Sequence, residues 1–211
     1  MQSTAKQIAE YLLQIKAIKL EPTNPFTWAS GWKSPIYCDN RKTLSYPEVR
    51  NDIKKAFAKA VLAKYPDVEV IAGVATGAIA LGALVADELN LPMVYIRSSA
   101  KAHGMTNMIE GDLKAGQKVV VIEDLISTGG SSLKAVQALR DAECEVMGML
   151  AIFTYGFQTA EDNFTNANCE LETLSNYNTM IDRALEIGYI KNEDVDQLKE
   201  WRKDPSTWMQ K

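Results

Sequence analysis

Short runs of apolar residues, which predict strands, alternate along this chain with segments in which apolar residues recur every three or four positions, which predict helices. Near the start, Ile8, Leu12 and Ile15 recur at helical spacing and predict an amphipathic helix. Alternating strands and helices favour an α/β fold, in which a twisted, mainly parallel sheet is flanked by helices. Further along, the pattern predicts a helix at 46–64, a strand at 68–74, a helix at 78–89, strands at 93–97 and from 119, a helix around Leu133, a strand at 145–155 and two or three short helices, the last around Leu198.

Residues 21–41 interrupt this pattern, because they are rich in proline, glycine, serine and aromatic residues and therefore predict short strands and turns. Open parallel sheets bind ligands at the carboxyl ends of their strands. We therefore expect residues 1–41 to form a small N-terminal cap, or hood, over those ends, within a single domain that spans residues 1–211. A polar segment at 98–116 separates two of the predicted strands.

Composition narrows the possible environments and partners of the chain. At 211 residues it can bury a substantial core, and its net charge of −4 argues against nucleic acid as a partner. No apolar run reaches the length of a membrane span, and the first residues do not resemble a signal peptide. Three widely spaced cysteines predict free thiols in a reducing cytoplasm, and a single histidine argues against a zinc site.

The segment at 119–132 carries the strongest chemical signal. An apolar run from Val119 predicts a strand that ends at two carboxylates, Glu123 and Asp124, before a loop of hydroxyls and glycines and then a helix. Backbone N–H groups, hydroxyls and a helix N-terminus around one concavity suit a phosphate. The carboxylates would repel that phosphate, so they need ribose hydroxyls or a metal ion as partners. An ordinary strand–helix junction is the alternative, whereas a P-loop sequence and a Rossmann fingerprint at these turns are absent.

Three other segments support a phosphate-bearing ligand. Small residues at 72–78 end a strand before a helix and predict a second anion site, although close helix–strand packing explains them equally well. Three basic side chains at 97–104 suit the neutralisation of pyrophosphate, or alternatively belong to a solvated loop. At 26–38, aromatic residues beside Ser-Gly and Ser-Pro turns suit stacking on a flat ring, or form a cluster that packs the cap on the core.

These segments resemble motifs of the type I phosphoribosyltransferases and, more narrowly, of the orotate phosphoribosyltransferase family. The segment at 119–132 is similar to the motif that binds 5-phospho-α-D-ribose 1-diphosphate, the segment at 97–104 to the lid, and the segment at 26–38 to the orotate signature. The resemblance implies the type I phosphoribosyltransferase fold. For the sugar diphosphate it implies ribose contacts at Glu123 and Asp124 and further contacts at Leu125 and Ile126. The 5-phosphate would be held by Ser127, Thr128, Gly129, Gly130 and Ser131. The pyrophosphate would meet a loop of Ala75, Thr76 and Gly77, where the family often has a cis peptide, and lid contacts from Arg97, Lys101 and His103.

The same resemblance implies a reaction. Orotate would attack the sugar diphosphate through an oxocarbenium-like transition state, with Mg²⁺ as cofactor and a mobile lid that excludes water. The metal would be held through the substrate and water rather than by protein side chains. The implied catalytic residues are Lys101, His103 and Asp124, and the implied orotate contacts are Ser127, Ile36 and Tyr37.

In the family, the lid of one subunit serves the site of its neighbour. The resemblance therefore implies a homodimer in which the segment from Arg97 to Gly104 reaches the partner's site.

Three positions depart from the usual family pattern. Ala29 and Ser98 stand where many members have a lysine, and Tyr155 stands near the place of a usual arginine. These departures keep open a phosphoribosyltransferase for another base, purine or uracil. A non-catalytic regulator that senses the sugar diphosphate is a further alternative, although the short, mildly charged N-terminal helix is unlike the basic DNA-binding domain of such regulators.

Overall fold

A computed structural model describes residues 3–28, 31–99 and 108–209 of the chain. The helices are α1 (Thr4–Gln14), α2 (Pro47–Lys64), α3 (Ile79–Leu89), α4 (Gly130–Asp141), α5 (Gln158–Asn166), α6 (Tyr177–Glu186) and α7 (Asn192–Lys203), with a 3-10 helix at Asn40–Ser45. The strands are β1 (Ile18–Leu20), β2 (Phe26–Thr27), β3 (Lys33–Ser34), β4 (Ile36–Cys38), β5 (Val70–Val74), β6 (Met93–Ile96), β7 (Ile109–Glu110), β8 (Lys118–Ile126), β9 (Glu145–Thr154) and β10 (Leu171–Asn176). None of the helices in these described ranges is both long and apolar enough to cross a membrane.

Six strands form the central sheet in the order β10–β9–β8–β5–β6–β7. All neighbours in it are parallel except β7, which is antiparallel to β6. Buried apolar clusters cover both faces of the sheet, so the predicted α/β fold with a mainly parallel sheet is confirmed. Because β5, β8 and β9 run in the same direction, the loops that follow them emerge at one edge of the sheet.

The structure corrects the predicted bounds of β8 and α4. The strand does not end at the two carboxylates but continues to Ile126, because Glu123, Leu125 and Ile126 pair with residues of β9. Helix α4 begins at Gly130, inside the segment predicted to be a loop. Glycine and serine are poor helix formers, but they are tolerated in a first turn whose N–H groups have no helical partner in any case.

Two edge strands were not predicted. Strand β7 lies within the polar segment at 98–116, and β10 lies in the region predicted to be helical. β7 is only two residues long, and β10 carries half-buried polar residues such as Glu172 and Thr173. Neither strand therefore shows the continuous apolar run that marks a strand buried on both faces.

The residues predicted to form the cap contact two different parts of the sheet. Helix α1 packs against α6 and β10 at one side of the sheet. The ring of Trp28 instead lies 5.7 Å from the ring of Tyr155, which follows β9. Asn40 reaches the carboxyl end of β8, where its Nδ2 donates to the carbonyl oxygen of Asp124 at 2.7 Å. The division of the chain into one domain with a cap stays a prediction.

A cluster of aromatic rings fastens the C-terminal helix α7 to the end of β9. Trp201 of α7 is fully buried, and its ring lies 5.5 to 5.8 Å from the rings of Trp28, Tyr155, Phe157 and Tyr177. The indole N–H of Trp201 has no hydrogen-bond partner among the described residues. Packing rather than hydrogen bonding therefore holds this ring in place.

Replacement of Trp201 tests this packing. Trp201→Ala should lower the free energy of unfolding by about 3–5 kcal/mol, because it leaves a cavity in a fully buried cluster. Trp201→Phe should cost far less, because it keeps an aromatic ring and loses no hydrogen bond. Urea denaturation of the two variants and the wild type measures the difference. Equal losses in the two variants would contradict this account.

Candidate active site

The loop between β8 and α4 presents a row of backbone N–H groups. The first backbone bond of the helix runs from the amide of Leu133 to the carbonyl of Gly129 at 2.9 Å. Within the described residues, the amides of 127–132 donate to no backbone or side-chain acceptor. Gly129 has a φ of +80°, and a Cβ there would lie 2.6 Å from the ring of Phe164, so only glycine fits this turn. This row of free donors at a helix N-terminus suits an anion.

The loop between β5 and α3 forms a second site of the same kind. Ala75 donates its amide to Ile96 at 2.8 Å, and Ala78 donates its amide to Val74 at 3.0 Å. Between them, the amides of Thr76 and Gly77 have no acceptor in the part of the chain that the structure describes. The peptide bond between Ala75 and Thr76 is cis, as the family resemblance implied for this loop.

Asp124 lies near the end of β8, shortly before the first loop, and its side chain is close to the second loop. A Cβ on Gly77 would come within 2.5 Å of the Asp124 carboxylate, so the second loop approaches this side chain closely. From the other side, Asn40 holds the Asp124 carbonyl, and the Oδ1 of Asn40 accepts from the thiol of Cys38 at 3.2 Å. Three segments that are distant in sequence thus meet at Asp124, which is half-buried.

Glu123 points in a different direction from Asp124, because successive side chains of a strand alternate between its faces. The Glu123 carboxylate is buried, and it accepts from the Ser132 hydroxyl at 2.8 Å and from the Asp124 amide at 2.9 Å. Burial, together with the nearby charge of Asp124, raises the pKa of Glu123 to about 8. The Glu123 carboxylate thus stabilises the first turn of α4 through Ser132. A contact of Glu123 with a ribose stays a prediction.

Only part of the predicted lid falls within the described residues. The Arg97 Nη1 lies 3.5 Å from the carboxylate of Glu110, and the Arg97 amide donates to Met108 at 2.8 Å. These contacts anchor the start of the segment beside β7. Lys101 and His103 lie outside the described residues, as does Ala29, so their roles stay predictions.

A cavity of about 350 Å³, which we term the cap pocket, lies between residues 27–38 of the predicted cap and the start of the first loop. It contains Tyr37 and Ser127, two of the three predicted orotate contacts. Ile36 is fully buried instead, and its amide donates to the Ser34 hydroxyl at 3.2 Å, so its contact with orotate stays a prediction. The residues that line the cap pocket are Thr27, Trp28, Tyr37, Cys38, Leu125, Ser127 and Tyr155.

Some residues of the cap pocket had no individual signal in the sequence. The aromatic segment at 26–38 indicated a flat ligand, and Trp28 serves both the pocket and the cluster that packs the cap on the core. Tyr155 stood out only as a departure from the family pattern. A larger cavity of about 640 Å³ lies beside α5, α6 and α7 and contains no predicted site residue.

The candidate site offers no dedicated metal cage. Within the described ranges, no three side chains of the types His, Cys, Asp and Glu lie close enough together to hold an ion. The single half-buried carboxylate of Asp124 fits a metal that is shared with a phosphate-bearing ligand, because Mg²⁺ keeps several waters and uses few protein ligands.

Comparison with known proteins gives one consistent class of protein, the phosphoribosyltransferases. A family model for the phosphoribosyl transferase domain matches residues 43–184. An orotate phosphoribosyltransferase from Phocaeicola vulgatus is 63% identical over 208 residues, which cover 99% of this chain and 98% of that protein. One from Porphyromonas gingivalis is 61% identical, with 99% of each chain covered. A crystal structure of orotate phosphoribosyltransferase from Aeropyrum pernix has a TM-score of 0.76 at 25% identity, covering 87% of this chain and 99% of that chain.

The burial of the Glu123 carboxyl predicts how the stability of the fold depends on pH. Its pKa is raised from a usual 4.5 to about 8, so between these values the unfolded chain releases a proton that the folded chain keeps. The contribution of Glu123 to stability therefore falls as the pH rises. Glu123→Gln removes this titration. Its free energy of unfolding should therefore rise relative to that of the wild type as the pH increases from about 5 to about 8.

Urea denaturation at several pH values measures this gain. Glu200→Gln, on the exposed side of α7, is the matched control. A constant difference between Glu123→Gln and the wild type across this range would contradict the assigned burial of a protonated carboxyl.

Proposed function

The chain belongs to the phosphoribosyltransferase family, and we propose that its two amide-lined loops hold the two ends of one sugar diphosphate during transfer to orotate. The reaction moves the phosphoribosyl group of 5-phospho-α-D-ribose 1-diphosphate to orotate and gives orotidine 5′-monophosphate and diphosphate. It is a step of pyrimidine biosynthesis. The observation that supports our assignment most directly is the close approach of the Asp124 carboxylate to the second loop, three residues before the first loop begins.

Each part of the substrate has a matching part of the site. The free amides of 127–131 suit the 5-phosphate, and those of Thr76 and Gly77 suit the diphosphate. Asp124 then faces the ribose hydroxyls, which can donate to a carboxylate. The cap pocket, with Ser127 at its base, would take the flat ring of orotate.

The chemistry needs electrostatic support more than a protein nucleophile. The bond from ribose C1 to diphosphate breaks, and its electron pair leaves with the diphosphate. N1 of the orotate anion supplies the electron pair of the new bond to C1. Positive charge develops on the ribose ring, where Asp124 would stabilise it. The basic side chains Arg97, Lys101 and His103 would stabilise the departing diphosphate.

Mg²⁺ is the cofactor that fits this site. When bound, it supplies a Lewis acid that neutralises charge on the diphosphate. The Asp124 carboxylate would help to hold it, and the remaining ligands would come from the substrate and water, since the described residues form no cage of three or more metal-binding side chains.

We also propose a homodimer in which the lid segment, residues 97–104, serves the neighbouring subunit. The ion pair of Arg97 with Glu110 fixes the start of this segment at the outer edge of the sheet, where β7 is the last strand. A cytoplasmic location is proposed from the three cysteines, which are free thiols in the structure.

The substrate assignment is tested by the ultraviolet absorbance of orotate in the presence of Mg²⁺ and the sugar diphosphate. Asp124→Asn should fold with the thermal stability of the wild type but lose activity by at least about 10²-fold, because it removes a charge that stabilises the transition state. Asp87→Asn, on the exposed face of α3, is the matched control. Consumption of hypoxanthine, adenine or uracil in place of orotate would contradict the substrate, and unchanged activity of Asp124→Asn would contradict its role.

The lid is tested by Lys101→Ala. Turnover should fall by about 10²-fold or more, with modest changes in the Michaelis constants, because the lysine acts on charge that develops only in the transition state. Lys55→Ala, an exposed position of α2, is the control. A turnover within a few fold of the wild type would exclude the assigned role.

Mixing the two inactive variants tests whether the lid acts across the dimer. In a mixed dimer of Lys101→Ala and Asp124→Asn, one site would combine an intact Asp124 with an intact Lys101 from the partner. Random exchange of subunits should then restore roughly a quarter of the wild-type activity, since half of the dimers are mixed and each has one complete site. No recovery after verified subunit exchange would place the lysine in its own subunit's site.

A further inference from the structure

Helix α5 packs directly against the loop between β8 and α4. A Cβ on Gly129 of this loop would lie 2.6 Å from the ring of Phe164, which is only 4% exposed and belongs to one of the two buried apolar clusters. The loop that suits the 5-phosphate therefore rests on a helix that lies outside the segment at 119–132.

A side chain of α5 also contacts the backbone of this loop. The Asn163 Nδ2 donates to the carbonyl oxygen of Thr128 at 2.9 Å. Within the described residues, no backbone amide donates to this carbonyl. The next carbonyl, that of Gly129, accepts instead from the amide of Leu133 in α4. Among the described residues, Asn163 thus supplies the hydrogen bond that holds the peptide between Thr128 and Gly129.

This hydrogen bond sets the direction of the Gly129 amide. The peptide between Thr128 and Gly129 is trans, and in a trans peptide the carbonyl and the N–H point in opposite directions. Because the Thr128 carbonyl points to Asn163, the Gly129 N–H points away from that side chain. It donates to no acceptor in the described part of the chain, and it is one of the free amides proposed to hold the 5-phosphate.

The peptide before Gly129 needs such a restraint more than most. Glycine has a φ of +80° here and is the residue with the greatest conformational freedom, so the peptide beside it can rotate easily. Asn163 is itself well placed to oppose that rotation. Its own carbonyl accepts from the amide of Ala167 at 3.0 Å at the end of α5, and its neighbour Phe164 is buried.

We propose that Asn163 is a positioning residue for the 5-phosphate, and that it holds the Gly129 amide toward this phosphate through the Thr128 carbonyl. The proposal rests on the proposed function and assigns a task in it to a side chain of a later helix. Asn163 does not touch the substrate in this role, since its amide group donates to the loop. Its loss should therefore weaken the 5-phosphate site and spare the diphosphate site at the second loop.

Asn163→Leu removes the donor, keeps a side chain of similar size and tests the proposal. The KM for the sugar diphosphate and the dissociation constant of ribose 5-phosphate should each rise by about 3- to 10-fold, as expected for the loss of one hydrogen bond. The KM for orotate and the inhibition constant of inorganic diphosphate should stay within about two-fold, because sites that share no partner respond independently. Steady-state kinetics and calorimetric titration measure these constants.

Two further variants control for side effects of this change. Asn166→Leu makes the same replacement at an exposed position of α5 whose side chain forms no hydrogen bond within the described residues, so all four constants should keep their wild-type values. Asn163→Asp keeps the shape of the side chain but cannot donate when ionised. It should weaken ribose 5-phosphate at least as much as Asn163→Leu does.

The outcomes separate this inference from the proposed function. Wild-type protein that does not consume orotate would overturn the function itself. Wild-type activity together with an unchanged KM for the sugar diphosphate in Asn163→Leu would overturn the role of Asn163. Equal weakening of ribose 5-phosphate and inorganic diphosphate would also overturn it, because a merely structural residue would distort both sites alike.

Discussion

The close approach of Asp124 to Gly77 is the contact on which the whole site depends. It places the carboxylate of one strand directly against the loop that follows the neighbouring strand, at a distance that no residue with a Cβ would allow. The contact is possible because β5 and β8 are adjacent and parallel, so the ends of both strands meet at one edge. Asn40 then fixes the Asp124 carbonyl from the cap side. Asp124 thus has contacts with both the second loop and Asn40.

The two neighbouring carboxylates have different tasks because the strand turns them to different faces. Glu123 is buried and holds the first turn of α4 through Ser132, which keeps the free amides of 127–131 in place. Asp124 is half-buried and lies against Gly77 of the second loop. Burial raises the pKa of Glu123, so the pair avoids two adjacent buried charges, and the negative charge is left to Asp124, beside the proposed ribose position.

Much of this arrangement could be predicted from the sequence, because long apolar runs and glycine-rich turns are local signals. The strands β5, β6 and β9 and the two anion-suited loops follow from such runs. The burial of Glu123 could not be predicted while β8 was expected to end at the two carboxylates, since only pairing with β9 extends the strand to Ile126. β7 and β10 lack an apolar run, and the ring of Tyr155 packs on Trp201 of α7, a helix that begins 37 residues later in the chain. These features depend on tertiary contacts rather than on local pattern.

The most direct test of the account is a crystal structure of the protein with Mg²⁺, 5-phospho-α-D-ribose 1-diphosphate and orotate. The account predicts the 5-phosphate at the amides of 127–131, the diphosphate at Thr76 and Gly77, and a ribose hydroxyl within hydrogen-bond distance of the Asp124 carboxylate. A 5-phosphate bound away from the first loop, or an Asp124 carboxylate turned away from the sugar, would contradict the claim that this residue joins the two anion sites into one.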